Sequence, residues 1–331
     1  MTFKKHTFIS KKKIFISGNI YSDLYLNKLE KTITIYTQML NNWIYLKNKT
    51  KHIVKFILLE DKQIILNSNL ILYFWPTSKF EAIFHLKRIL SFLSEKNHIF
   101  LIGEKRSGIQ TAKKLLKTWI HLEKIDSAKH CHLFSGKIIV KPKFKFENFI
   151  YQQTWKEICI KTIPGVFSYN KIDIGSQLLI STFSKSIQGN ILDIGCGSGI
   201  LSVSLAKQSS KVKLTLVDTH IAALVSSQLT LECNDIIGDI FPSDVYSNIH
   251  KKFNFIMSNP SFHCNSKINL SFISTIIKDS VRYLKKQGEI RIVVNSSISC
   301  DQFFKYAFVK YNILKENTKF KVYQAYQKNK K

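Results

Sequence analysis

Apolar positions along the chain fall into short continuous runs separated by stretches in which they recur every three or four residues, the pattern of strands alternating with amphipathic helices. Ile64 to Pro76 reads as an apolar strand stopped by Trp75-Pro76, because proline has no N–H to give a ladder. Ile83, Leu86, Ile89, Leu90 and Leu93 then predict a helix from Phe80 to Leu93, followed by a strand from His98 to Ile102. A helix from Ile109 to about Trp119 and a strand around Lys137 to Val140 complete the first half. Lys141-Pro142-Lys143-Phe144-Lys145 interrupts the periodicity and marks a boundary.

The second half alternates more clearly. Strands are predicted at Asn190–Ile194, Lys213–Val217, Phe253–Met257 and Glu289–Val294, and helices at Ile200–Gln208, Ala222–Leu231 and Ile273–Leu284. Such an order implies a mostly parallel, doubly wound α/β sheet. A length of 331 residues suits two domains, taken as 1–150 and 151–331. Leu70 to Pro76, a helix, and Ile99 to Gly103 mirror Phe253 to Pro260, a helix, and Glu289 to Asn295, so the halves read as an internal duplication. The first copy has no glycine loop and carries Trp75 where the second has Asn259, which makes it a non-catalytic scaffold.

Composition narrows the class. With 45% hydrophobic and 22% charged residues the chain is globular rather than disordered, and no apolar run approaches the ~20 residues that cross a bilayer, so a cytosolic protein is expected. A net charge of +28 suits a polyanionic partner. Only Arg88, Arg106, Arg282 and Arg291 are arginine, however, and abundant Lys, Ile and Asn are what A/T-rich codon drift yields on any fold. Lys137, Lys141, Lys143 and Lys145 could face RNA or form a solvated face. Six scattered cysteines without a C-x-x-C pair indicate neither a zinc site nor a disulfide framework, and His130-Cys131-His132 alternate sides in an extended chain.

The chemistry concentrates in Asp193-Ile194-Gly195-Cys196-Gly197-Ser198-Gly199, between a predicted strand and helix. Glycines at alternate positions let the backbone pass close under a ligand and present N–H groups at a helix start. A dinucleotide fingerprint needs glycine at the position of Ile200, so that reading fails on spacing. The pattern D-x-G-x-G-x-G instead resembles the first motif of class I S-adenosylmethionine-dependent methyltransferases. Asp218 ends the next strand and can accept from both ribose hydroxyls. Asn259-Pro260-Ser261-Phe262 ends the strand after that, and it resembles the N-P-P-F/Y/W signature of enzymes that methylate planar, conjugated nitrogens. The lone pair of such a nitrogen is delocalised into its ring. Acceptors on its N–H bonds, here the Asn259 side-chain oxygen and the Pro260 carbonyl, raise its electron density, while Phe262 stacks on the base.

Pro164-Gly165-Val166-Phe167-Ser168, Asp173-Ile174-Gly175-Ser176-Gln177-Leu178-Leu179, the glycine loop, Asn259 to His263 and Phe320-Lys321-Val322-Tyr323 together resemble the bacterial small-subunit ribosomal RNA guanine-N2 methyltransferase C family. Tyr73 to Pro76 and Gly103 to Gly108 extend the likeness into the first half. The resemblance implies two tandem Rossmann-like class I methyltransferase domains. The N-terminal one would be degenerate, a scaffold contacting RNA or the ribosome. The C-terminal one would bind S-adenosyl-L-methionine and methylate a guanine N2 of 16S rRNA in the small subunit, as a monomer and without a metal. It implies cofactor contacts at Asp193, Gly195, Gly197, Gly199, Asp218 and Asp244, with Phe167 and Gln177 by analogy. Asp193 is equally readable as a structural acceptor and Asp244 as a helix N-cap. His263 would position rather than act as a base. N-P-x-F serves adenine N6 and glutamine amides too, and Ser261 in place of the second proline leaves room for an inactive ribosome-assembly factor.

Overall fold

Apolar runs bounded by caps and turns build two seven-stranded sheets in the computed structural model, which describes residues 13–20, 33–94, 96–260 and 270–327 and the backbone of 263–264 and 267–268. The chain divides after Phe149 into two units. The first runs β1 (Ile14–Gly18), β2 (Ile33–Thr37), α1 (Leu40–Lys49), β3 (Ile53–Phe56), α2 (Lys62–Leu66), β4 (Leu70–Phe74), α3 (Lys79–Phe92), β5 (His98–Glu104), α4 (Ala112–Leu116), β6 (Ile120–Ala128) and β7 (Cys131–Ile138). Its strand order is β3-β2-β1-β4-β5-β7-β6, parallel through β5 and antiparallel beyond it.

The second unit opens with the hairpin β8 (Tyr151–Trp155) and β9 (Ile158–Thr162), then α5 (Ile174–Ile180), β10 (Gly189–Ile194), α6 (Ile200–Gln208), β11 (Val212–Asp218), α7 (Ile221–Glu232) and β12 (Gly238–Pro242). It continues through β13 (Phe253–Ser258), the short pair β14 (His263–Cys264) and β15 (Lys267–Ile268), α8 (Leu270–Tyr283), β16 (Leu284–Asn295), α9 (Asp301–Ala307), β17 (Tyr311–Glu316) and β18 (Phe320–Tyr326). Its main sheet is ordered β12-β11-β10-β13-β16-β18-β17, the same order as the first unit position for position. The duplication inferred from Leu70–Pro76 and Phe253–Pro260 is therefore carried by topology: β4 and β13 occupy the same place, and Phe74 pairs with Gly18 as Ser258 pairs with Ile194. Trp75 consequently stands at the position of Asn259.

Both faces of the second sheet are covered, as parallel sheets require. Ile191, Leu214, Leu216, Phe255 and Met257 pack on one face against Leu201 and Leu205 of α6. Leu192, Ile194, Val217, Ile256 and Ile292 pack on the other against Ile273 and Ile277 of α8. Asp193 has the parity of Ile191 and so lies in a core row facing α6.

Several predicted elements are corrected. Ile64 to Pro76 is not one strand: Asp61 accepts hydrogen bonds from the N–H groups of Gln63 and Ile64 and starts helix α2, so only Leu70–Phe74 is extended. The helix expected over 109–119 reduces to α4 after 3-10 turns, since Gly108 with φ +80° breaks its start and β6 begins at Ile120. The strand placed at 137–140 is the end of β7, and His130 lies in the turn before it at φ 62°. In the boundary segment Phe144, Phe146 and Phe149 converge on Phe84 of α3, while Lys141, Lys143 and Lys145 are exposed. Among the described residues no helix is long and apolar enough to cross a membrane.

Candidate active site

Open α/β sheets bind ligands outside the carboxyl ends of their strands, where the strand order reverses. In the second unit that point lies between β10 and β13, because β11 and β12 extend the sheet to one side of β10 and β13 and β16 to the other. Across this edge stand, in strand order, Asp244 just beyond β12, Asp218 ending β11, the glycine loop after β10 and Asn259 after β13. A shallow cleft opens there, with Phe167, Asp173, Ser176, Gly197 and Asn259 on its wall and Asp218 and Asp244 outside it.

The loop is left-handed at Gly195, Gly197 and Gly199, with φ of 70°, 54° and 77°. Gly195 and Cys196 donate to the Val217 carbonyl at 2.8 and 3.1 Å, which ties the loop to β11. A Cβ on Gly195 or Gly197 would meet nothing within 4 Å, whereas one on Gly199 would come within 3.1 Å of Ser227 Cα on α7. The first two glycines thus leave free space over the loop, and the third allows close helix packing. No side chain caps α6, whose first turn borders the cleft.

Asp218 takes hydrogen bonds from Gly197 N at 3.2 Å and His220 N at 2.9 Å, one on each carboxylate oxygen. Burial holds its carboxyl above the ordinary range, an effect opposed by these backbone donors. Each oxygen keeps lone-pair capacity for a further donor. Asp218→Ala is therefore expected to raise the dissociation constant of the cofactor by about 1.5–3 kcal/mol, the loss of hydrogen bonds to a charged acceptor, without changing RNA affinity. Titration calorimetry checks this, and unaltered cofactor affinity would confine Asp218 to supporting the loop.

Asp193 is wholly buried beneath the loop rather than on the cleft wall. Its Oδ2 accepts from Ser202 Oγ of α6 at 2.8 Å, while Oδ1 has no hydrogen-bond partner. Desolvation, opposed by Ser202 and reinforced by Asp218, pushes its pKa up to about 7. Folding therefore favours the protonated acid. Between the ordinary carboxyl range and pH 7 the unfolded chain is ionised where the folded one is not, so stability falls as pH rises through this window and levels off above it. Asp193→Asn should flatten that slope in melting temperatures recorded from pH 4.5 to 8, and a slope equal to wild type would remove Asp193 as its source.

The remaining residues divide. Phe167 is on the cleft wall and 56% exposed. Gln177 is not on the wall, because its Nε2 donates to the Ile172 carbonyl at 3.3 Å and holds the segment that is. Asp244 is half-buried and starts a turn in which its N–H donates to Ser247 Oγ at 3.0 Å; it begins no helix, so the N-cap alternative falls away. Pro260 is buried at the end of β13. Ser261, Phe262 and the side chain of His263 lie outside the described residues. Asn259 donates from Nδ2 to Asp173 Oδ2 and Ser176 Oγ, both at 2.8 Å. No spacing in the chain signals these last two partners, 86 and 83 positions away.

S-adenosylmethionine fits this set. The space over Gly195 and Gly197 admits close approach to backbone, the open first turn of α6 suits a carboxylate, Asp218 suits ribose hydroxyls, and the orphaned Asp193 oxygen lies under the loop where a positive charge would stabilise it.

Comparison with known proteins agrees with the architecture. Residues 157–324 match the methyltransferase small domain and residues 1–153 the methyltransferase small domain N-terminal family. Ribosomal RNA small subunit methyltransferase C of Buchnera aphidicola subsp. Baizongia pistaciae is 47% identical across 97% of this chain and 99% of its own length. The protein of that name from Erwinia tasmaniensis is 37% identical across 96% and 92%. Among solved structures, the T. thermophilus 16S rRNA N2 G1207 methyltransferase, in complex with AdoMet and guanosine, superposes with a TM-score of 0.80 at 17% identity, covering 96% of this chain and 88% of that one.

Proposed function

Since this chain belongs to the ribosomal RNA small subunit methyltransferase C family, we propose that it methylates the exocyclic N2 of a guanine in 16S rRNA, within the small ribosomal subunit, using S-adenosylmethionine. The observation that carries this reading is the orientation of Asn259: its NH2 is spent on Asp173 and Ser176, which leaves the amide oxygen for the cleft. When bound, S-adenosylmethionine supplies a sulfonium-activated methyl that the N2 lone pair can take, leaving a neutral thioether and a proton that passes to water.

The protein's own residues bind and align. Gly195, Gly197 and Asp218 hold the cofactor against the ends of β10 and β11. Asn259 Oδ1 and the Pro260 carbonyl accept from the amino group of the base, which holds it in plane and returns electron density to nitrogen. Most of the rate then comes from proximity and alignment, because the donor is already activated. The first unit acts as the scaffold that contacts RNA: Trp75 is 1% exposed where Asn259 would stand, so that position holds core, while the lysines of 141–145 remain exposed.

Mapping of labelled methyl groups by mass spectrometry, after incubation with small-subunit RNA and labelled cofactor, tests the assignment. Label on a guanine N2 supports it. Label on an adenine or on protein, or cofactor binding with no label anywhere, would replace it with the corresponding alternative.

A further inference from the structure

An asparagine amide is nearly symmetric in shape but opposite in chemistry at its two ends. Turned one way, Asn259 offers the cleft an acceptor; turned the other, it offers an NH2 group that would repel the N–H of a substrate amine. We propose that Asp173 is a positioning residue for methyl transfer, which fixes Asn259 with its oxygen toward the substrate and lends a negative charge to the side of the amine that becomes cationic. The proposal deepens the function proposed above and rests on it.

Three observations carry it. Asp173 Oδ2 and Ser176 Oγ both lie 2.8 Å from Asn259 Nδ2, so both N–H bonds of the amide have acceptors. A carboxylate accepts only, so the reversed amide would set oxygen against oxygen. The carboxylate is itself held: Asp173 N-caps α5 by accepting from Ser176 N at 2.8 Å with the same Oδ2. Gly175 keeps the space for this arrangement, since a Cβ there would come within 3.0 Å of Asp173 Oδ2 and 3.1 Å of the Phe320 ring. Asp173, Gly175 and Ser176 form one turn serving Asn259 from across the unit. As nitrogen bonds to the methyl carbon it gains positive charge, and the line from amine through amide to carboxylate stabilises that charge more than the neutral ground state.

Single-turnover rates and cofactor and RNA affinities of the full-length protein separate this role from helix capping. Asp173→Ala should lower the rate about 10²-fold, the scale on which one preorganised partner of a transition state acts. Asp173→Asn keeps an oxygen for the cap but drops the charge and permits the reversed amide, and should lose about tenfold with an unchanged melting temperature. Cofactor and RNA dissociation constants should stay within about twofold in both. Because Asp173 acts through Asn259, Asp173→Ala should cost nothing further when Asn259 is already alanine. A wild-type rate in Asp173→Asn, or a loss in the double variant equal to the sum of the single ones, would overturn the proposal. A wild-type rate in Asn259→Ala would instead overturn the function on which it rests.

Discussion

Methyl transfer by Asn259→Ala is expected to fall by about 10²–10³-fold in single-turnover assays, while the affinities for S-adenosylmethionine and RNA change far less. The asymmetry follows from where the amide sits. It is on the cleft wall, and its amide hydrogen bonds run to Asp173 and Ser176 rather than to the glycine loop or Asp218, so its truncation should leave the proposed cofactor contacts in place. In the proposed role its oxygen would act on an amine whose acidity rises as the new bond forms, so the interaction would strengthen toward the transition state. Phosphate contacts that other residues would make should be retained in the variant. Equal losses in rate and in RNA affinity would make Asn259 a binding group, and an unchanged rate would remove it from the chemistry.

Gly197→Leu is expected to abolish detectable cofactor binding at concentrations about a hundred times the wild-type dissociation constant, a loss of roughly 2.7 kcal/mol or more. A side chain at φ +54° costs about 1–2 kcal/mol of backbone strain. Its Cβ meets no protein atom, so the fold should survive with a modestly lower melting temperature. The damage would come from filling the space that the proposed cofactor site needs. Gly199→Ala is the complementary case: its Cβ presses on Ser227 Cα at 3.1 Å, so it should cost stability by parting α6 from α7. Calorimetry and thermal melts on both variants separate the two effects. Normal cofactor affinity in Gly197→Leu would place the cofactor elsewhere.

Much of the second unit was readable from sequence because its central strands are buried on both faces and its turns carry glycine. The helix over 200–208 falls on its predicted bounds, and the predicted strands lie within β10, β11, β13 and β16. The outer strands were not seen. β17 is exposed at five of its six positions and β6 at most of its length, so neither shows the apolar contrast that period reading requires. The apolar run before Leu70 misled because Ile64-Ile65-Leu66 has the composition of a strand, whereas only Ile65 of that helical turn is buried and the capping by Asp61 decides for helix. At the site, Asp193, the glycines, Asp218 and Asn259 were each conspicuous by type and spacing. Asp173 was visible only as part of a resembling motif, since its link to Asn259 is made by folding across the unit and leaves no local trace.

Two copies of one strand order on a single chain create a hazard during synthesis, because parallel strands pair slowly and a strand of one copy matches the edge geometry of the other. The order of emergence from the ribosome mitigates it. The first sheet can close through β6 and β7 before β10 has been made. In that sheet Tyr36, Tyr73 and Trp75 are buried near the strand ends, where the second unit keeps an open cleft. The first copy thus fills with aromatic core the place where the second stays open, so a bound cofactor is expected to stabilise the second half alone.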